Sequence, residues 1–288
     1  MKQVASILLC IVSACSAQTV SAPKQVSEDV VEVGRIQHPA ITESSGIVIS
    51  RRDTNVFWTH NDGGGRKQVL YAMTRHGTSL AEYRVVGAVL NDWEDIAADS
   101  HGHLFIGDIG NNDAKRSDLF VHQIDEPDIA KTPGGSVKVT HTWRLHFPAK
   151  PFDCESLFVW AGTGYVISKV FDDAKAGLYR FSLTNTSDQA LEFVAQLPID
   201  SPVTGADISQ DGKLVGIVAK NGAYAFRVHG DPARINEHKP HHTKLKDEHI
   251  EACTFVPEGL LATSESREIY LFTDKDFIAK KKVASERQ

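Results

Sequence analysis

The chain has 288 residues, 41% of them hydrophobic, which is enough to bury a large core in one or two domains. Lys and Arg number 31 against 37 Asp and Glu, so the net charge of −6 supplies no broad electrostatic attraction to nucleic acid or to an anionic membrane surface. Neither is an expected partner of the folded chain.

Lys2, the apolar run from Val4 to Val12 and the small residues after it read as a secretory signal. The run is too short to span a bilayer, and no later apolar stretch reaches spanning length. Val12-Ser13-Ala14-Cys15 resembles the bacterial lipobox, whose Cys is acylated and becomes the new N-terminus. Ser16 does not resemble an inner-membrane retention signal. The expectation is an exported outer-membrane lipoprotein, held to the membrane only through a lipid on Cys15. The alternative is cleavage after Ala17 or Ala22, which releases a periplasmic or extracellular protein. Residues 1–15 are then the signal, 16–29 a polar tether and 30–288 the folded domain.

After Val30 to Gln37, which reads as an isolated strand, one theme recurs: an acidic or small residue, a short apolar run, a Gly turn, and a second apolar run ending in a polar residue. It opens at Ser44-Ser45-Gly46, Trp93-Glu94-Asp95, Cys154-Glu155-Ser156, Gly205-Ala206-Asp207 and Ile250-Glu251-Ala252. Taking Ser45, Glu94, Glu155, Ala206 and Glu251 as equivalent gives steps of 49, 61, 51 and 45 residues, close to the ~40–50 of propeller repeats. The first repeat alternates apolar and polar residues over 44–50, 55–60, 68–74 and 80–86. The second does so over 94–98, 103–108, 118–124 and 137–146, and the third over 155–160, 164–169, 177–183 and 191–197. The fourth has clear strands at 206–209, 213–219 and 223–228, but 229–248 is too rich in His, Lys, Pro and Asp to identify an outer strand. The last has only 251–256, 260–264 and 268–273, so Val30 to Gln37 supplies its missing strand and closes the ring.

The fold class is therefore all-β, a single β-propeller of five blades closed by an N-terminal strand. Six blades is the alternative, should 109–152 hold another. Cys154 and Cys253 fall on inner strands of blades that are not neighbours and read as buried free thiols.

In a blade the start of the innermost strand and the end of the second lie at the same channel mouth. Glu94, Glu155 and Glu251 share one phase there, whereas Asp95 and Asp207 take the other. Like charges so crowded call for a cation or raised pKa values. An all-oxygen, carboxylate-rich set suits Ca2+, or Mg2+, better than zinc, and Glu94, Asp108, Glu155 and Glu251 are the candidate ligands. The competing reading pairs these acids with backbone amides or with Lys169 and Lys220. His60, as general base or hydrogen-bond donor, and Lys169 are the candidate catalytic residues. Asn61, Asp62 and Arg116 on glycine-rich turns are the candidate substrate contacts, although Asn61 and Asp62 equally suit turn chemistry.

Three of these segments carry a resemblance. His60-Asn61-Asp62, Trp93-Glu94-Asp95-Ile96-Ala97 and Gly107-Asp108-Ile109-Gly110-Asn111-Asn112 followed by Arg116 resemble the shared pattern of a group of secreted bacterial β-propellers. Asn111 departs from the Asp usual there. More distantly the chain is similar to phytase-like esterase propellers and calcium-dependent lactonases, whose metal sits at the channel mouth. That resemblance implies an ester or phosphoester hydrolase acting on a small molecule at the mouth. The other class is an envelope propeller that binds a glycan, peptide or protein without chemistry.

Overall fold

The computed structural model describes residues 22–63, 67–89, 91–171, 174–184 and 187–278. Cys15 and the signal lie outside the described residues. Its secondary structure is β throughout, apart from two single-turn 3-10 helices at Pro232–Arg234 and Lys275–Phe277.

The chain begins with β1 (Lys24–Ser27) and β2 (Val30–Arg35), then winds a first antiparallel meander of β3 (Ser44–Ile49), β4 (Phe57–Asn61), β5 (Val69–Met73) and β6 (Ser79–Val86). A second follows with β7 (Trp93–Ala98), β8 (His103–Asp108), β9 (Asp118–Asp125) and β10 (Gly135–His146). The 109–152 stretch holds no further meander among the described residues. The first half of β10 instead runs parallel to β6, which joins the first two meanders at their outer edges, while its second half pairs with β9.

The third meander is β11 (Asp153–Trp160), β12 (Thr163–Lys169), β13 (Gly177–Ser182) and, after the short β14 (Asp188–Ala190) that pairs with β10, β15 (Glu192–Gln196). The fourth is β16 (Val203–Ile208), β17 (Leu214–Ala219), β18 (Gly222–Arg227) and β19 (His241–Lys244). Its outer strand is thus formed from the His-rich stretch in which sequence pattern shows none. It needs only edge pairing with β18 and the stacking of His242 on Tyr224, with ring centroids 4.1 Å apart.

The last meander, β20 (Ile250–Val256), β21 (Gly259–Ser264) and β22 (Glu268–Phe272), takes β2 as its fourth strand and β1 as a fifth. Part of the expected tether is therefore a strand of this sheet. Gly77 makes the closure possible. Its φ of 85° is a left-handed conformation, and a Cβ there would stand 2.0 Å from the Arg35 carbonyl oxygen, on the chain leaving β2.

The inner strands β3, β7, β11, β16 and β20 pack each against the next, and β20 packs against β3. One apolar layer fills each gap. Trp58 and Leu70 meet Trp93 and Ile96, Phe105 and Trp143 meet Leu157 and Val166, and Phe158 and Tyr165 meet Val203 and Val215. Leu214 and Val218 meet Cys253 and Leu260, and Ala252 and Leu261 meet Ile47 and Phe57, which returns the ring to its start. A strand buried on both faces reads as a continuous apolar run, and β7, β16 and β20 are buried along their whole length. Cys154 and Cys253 are buried free thiols, as the sequence suggests.

Candidate site at the acidic channel mouth

At one mouth of the channel the inner strands start and the second strands end, with Ser44 opposite Asn61, Trp93 opposite Asp108, Asp153 opposite Lys169, Val203 opposite Ala219 and Ile250 opposite Ser264. The register slips after the first pair in four of the meanders and after the second, Cys154 opposite Ser168, in the third, so inner-strand residues bulge out of the ladder there. The bulged positions are Ser45, Glu94, Glu155, Thr204 and Glu251. The equivalence of Ala206 inferred from sequence is corrected to Thr204, two residues earlier. The phase confusion has a cause: Asp207-Ile208 copies the local bond of Asp95-Ile96, each Asp Oδ1 accepting from the next backbone N–H at 2.8 Å, but at a different depth.

The bulge carries each Glu to the mouth. Glu94 is 4% exposed and accepts a hydrogen bond from Ser45 Oγ at 2.9 Å. No Lys, Arg or His of the described residues forms an ion pair with it. One carboxylate oxygen from each of Asp62, Asp92 and Glu94 lies within 4.8 Å of the others. Burial, and then the charges of Glu155, Asp62 and Asp92, push the Glu94 pKa well above the usual carboxylate range. Asp92 is pushed up to about 6 by burial and by Asp62, against the opposing pull of Arg116.

Gly110 explains its motif. A Cβ there would stand 2.3 Å from Glu94 Oε1 and 2.4 Å from Asp92 Oδ2, so any side chain at this position would push these two carboxylates out of their present places. Gly63 closes against the other side, where a Cβ would meet the Asn91 carbonyl oxygen at 2.5 Å.

The other predicted ligands are differently placed. Glu155 forms an ion pair with Lys169 and Glu251 with Lys220, the competing arrangement weighed from sequence. Burial pushes Glu155 up to about 8 and Glu251 up to about 7 despite these partners. Burial pulls Lys169 down, but Glu155, Glu251 and Asp153 outweigh it and hold the ammonium charged. Glu155 Oε2 and Asp153 Oδ2 are buried without a hydrogen-bond partner. Asp108 accepts from the Asp92 N–H at 3.0 Å and pairs with Arg116 Nη2 at 2.9 Å. The set Glu94, Asp108, Glu155 and Glu251 is thus not one cluster. The structure gathers Glu94 with Asp62 and Asp92 instead, and Asp92 escaped the sequence reading because it precedes the strand on an irregular loop. Its signal was Gly110.

Asn61 is spent on the fold, its Oδ1 accepting from the Thr42 and Glu43 N–H groups and its Nδ2 donating to the Ala40 carbonyl. Arg116 likewise ties its own loop, donating to the Gly110 carbonyl at 2.6 Å and the Asp108 carbonyl at 3.0 Å. His60 lies fully buried between the first two meanders, edge-on to Trp93 at 5.7 Å, with Nδ1–H donating to the Asn61 carbonyl. Burial lowers its pKa. Asp95 and Asp207, of the other phase, reach across to neighbouring inner strands: Asp95 Oδ2 accepts from the Leu157 and Ala206 N–H groups at 2.8 and 3.4 Å, and Asp207 Oδ2 from Phe255 N–H and Thr254 Oγ1 at 2.8 and 2.9 Å.

In fold the chain is similar to known β-propellers. It is similar to the gluconolactonase XC5397 from Xanthomonas campestris at 14% identity and a TM-score of 0.49, over 79% of this chain and 71% of that one. A chain of a nidogen/laminin complex matches at 14% identity and 0.46, over 77% and 72%. The Dos1 propeller matches at 10% and 0.41, where 78% of this chain spans 56% of that one. No protein-family model matches the sequence, and no curated protein matches it.

Proposed function

We propose that the protein is a five-bladed propeller whose acidic mouth binds a divalent cation, and that it hydrolyses an ester or phosphoester there. The observation that carries this is the convergence of Asp62, Asp92 and Glu94 oxygens within 4.8 Å around a buried Glu94 that has no cationic partner among the described residues. Calcium–oxygen bonds of ~2.3–2.6 Å place ligand oxygens at most about 5 Å apart, a spacing at which Asp62, Asp92 and Glu94 would hold one ion. Glu155, whose Oε2 is unpartnered, lies outside this cluster but adds its negative charge to the field at Glu94. Ca2+ suits this irregular oxygen set, with Mg2+ second because it demands closer octahedral geometry.

A cation held there supplies Lewis-acid polarisation of a carbonyl or phosphoryl oxygen. Lys169, fixed by Glu155, presents a positive charge toward an anionic group. Glu155, with its pKa near 8, is able to exchange a proton at neutral pH. His60, walled in between blades, is assigned packing and not proton transfer.

Calcium titration of chelator-treated protein by calorimetry tests the site, with turnover of lactones, aryl esters and aryl phosphates as the second measurement. Saturable binding lost in Glu94→Gln and metal-dependent turnover are expected. Absence of calcium and magnesium binding overturns the proposal. Binding without turnover leaves a metal-bearing ligand receptor, a reading favoured by Phe171 (66% exposed, stacked on the Lys169 ammonium at 5.3 Å) and Val89 (78% exposed) on loops at this mouth. We place the protein in the cell envelope, anchored through Cys15, and Cys15→Ala should abolish fatty-acid labelling.

A further inference from the structure

A cavity lies at the opposite end of the channel. Inner strands rise ~3.3 Å per residue, so the far end of β7 at Ala98 and Asp99 is about 15 Å from Glu94. There the ends of the inner strands enclose a cavity of about 420 Å³. Most of its exposed wall is apolar, with Phe105, Val159, Trp160 and Ile208 prominent, while polar side chains, among them Arg51, Gln123 and Ser209, share the lining. Size and lining match the ~300–1,000 Å³, largely apolar pockets that hold small organic ligands.

Arg51 decides the ligand's charge. Its guanidinium donates from Nη2 to the Ala98 carbonyl at 3.3 Å, and no carboxylate of the described residues lies within ion-pair distance of it. Asp99, the acid on the same cavity wall, is already saturated: it accepts from the His101 and His103 N–H groups at 2.8 and 3.0 Å and from His103 Nδ1–H at 2.8 Å. Glu126 is likewise occupied, by Trp58 Nε1–H at 2.8 Å and the Arg51 backbone N–H at 3.3 Å. The guanidinium, a planar fork matched to carboxylate, therefore retains donors for something that enters the cavity.

We infer that this cavity is a binding site for a small carboxylate with an apolar, aromatic-sized body, its carboxylate on Arg51 and its body between Phe105 and Trp160. The site is independent of the acidic mouth, which repels anions when no cation is bound.

The test uses chelator-treated, dialysed mature protein and three probes: phenylacetate, its neutral counterpart 2-phenylethanol, and acetate. Titration calorimetry should show saturable phenylacetate binding in the millimolar range or tighter, with each of the other probes at least about tenfold weaker. Arg51→Gln should bring phenylacetate down to the level of 2-phenylethanol, and Arg51→Lys should restore part of the difference, with melting curves confirming that both variants fold. Equal binding of phenylacetate and 2-phenylethanol to the wild type overturns the proposal without recourse to any variant. So does unchanged binding in folded Arg51→Gln, or the absence of saturable phenylacetate binding.

Discussion

Glu94 and Asp95 are neighbours in one strand, both buried and both acidic, and the fold treats them in opposite ways. Asp95 turns into the ring, where N–H groups of its own strand, the third meander and the fourth converge on it. Glu94 bulges to the mouth, where it receives one hydroxyl and faces two more carboxylates. A carboxylate that accepts several backbone N–H groups acts as a staple between strands. One that meets mainly other carboxylates leaves an electrostatic deficit that a cation relieves. The bulge between them, not the residue type, separates structure from chemistry.

The largest effect is expected on the staple side. Asp95→Ala removes the acceptor for the Ile96, Leu157 and Ala206 N–H groups in a water-free site, and at ~1–3 kcal/mol for each orphaned donor the ring should lose at least about 3 kcal/mol in urea unfolding. Calcium should not restore it. If Asp95→Ala melts like the wild type, the contrast between the two acids collapses.

Next comes Glu94→Gln, which should leave the apo protein as stable as before or slightly more so. Its cost appears only with metal. The calcium-dependent gain, ~2.7 kcal/mol at a hundredfold excess over the dissociation constant, should vanish from its thermal unfolding curve. A calcium response that survives would move the metal elsewhere.

Gly110→Ala sharpens the geometry with a smaller change. The new methyl group intrudes between the Glu94 and Asp92 carboxylates, so calcium affinity should fall about tenfold, or ~1.4 kcal/mol, with little change in apo stability. An unaltered affinity would show that the ion does not sit where these two residues meet.

A further effect is with pH. Folded-state pKa values of about 8 for Glu155 and about 7 for Glu251 lie above the ordinary 4.5. The folded protein therefore holds protons that the unfolded chain has released, and the stability tied to them is present below pH 4.5 and lost as pH rises through 7 and 8. Without metal, wild type should lose stability over that window relative to Glu155→Gln and Glu251→Gln, as read from paired urea titrations. Parallel curves would mean that Lys169 and Lys220 keep both acids ordinary.

The repeat of apolar runs and glycine turns determined the all-β class and most strand positions from Ser44 to Phe272, because burial on both faces and turn chemistry are written locally, and the missing fourth strand of the last repeat pointed to Val30. Pairing partners across the ring were not. The outer strand at His241–Lys244 has no apolar pattern of its own and exists because β18 offers it an edge. The bulges that put Thr204, and not Ala206, in line with Glu94 depend on register against β17, which no stretch of β16 specifies alone. The sequence likewise marked the mouth as acidic through Glu94, Glu155 and Glu251. Only the tertiary structure decided that Lys169 and Lys220 pair with two of them while the loop after β4 brings Asp62, and the turn just before β7 brings Asp92, to the third. Charge is a property of residues, but whether a charge is paired depends on distances that the closing of the ring creates.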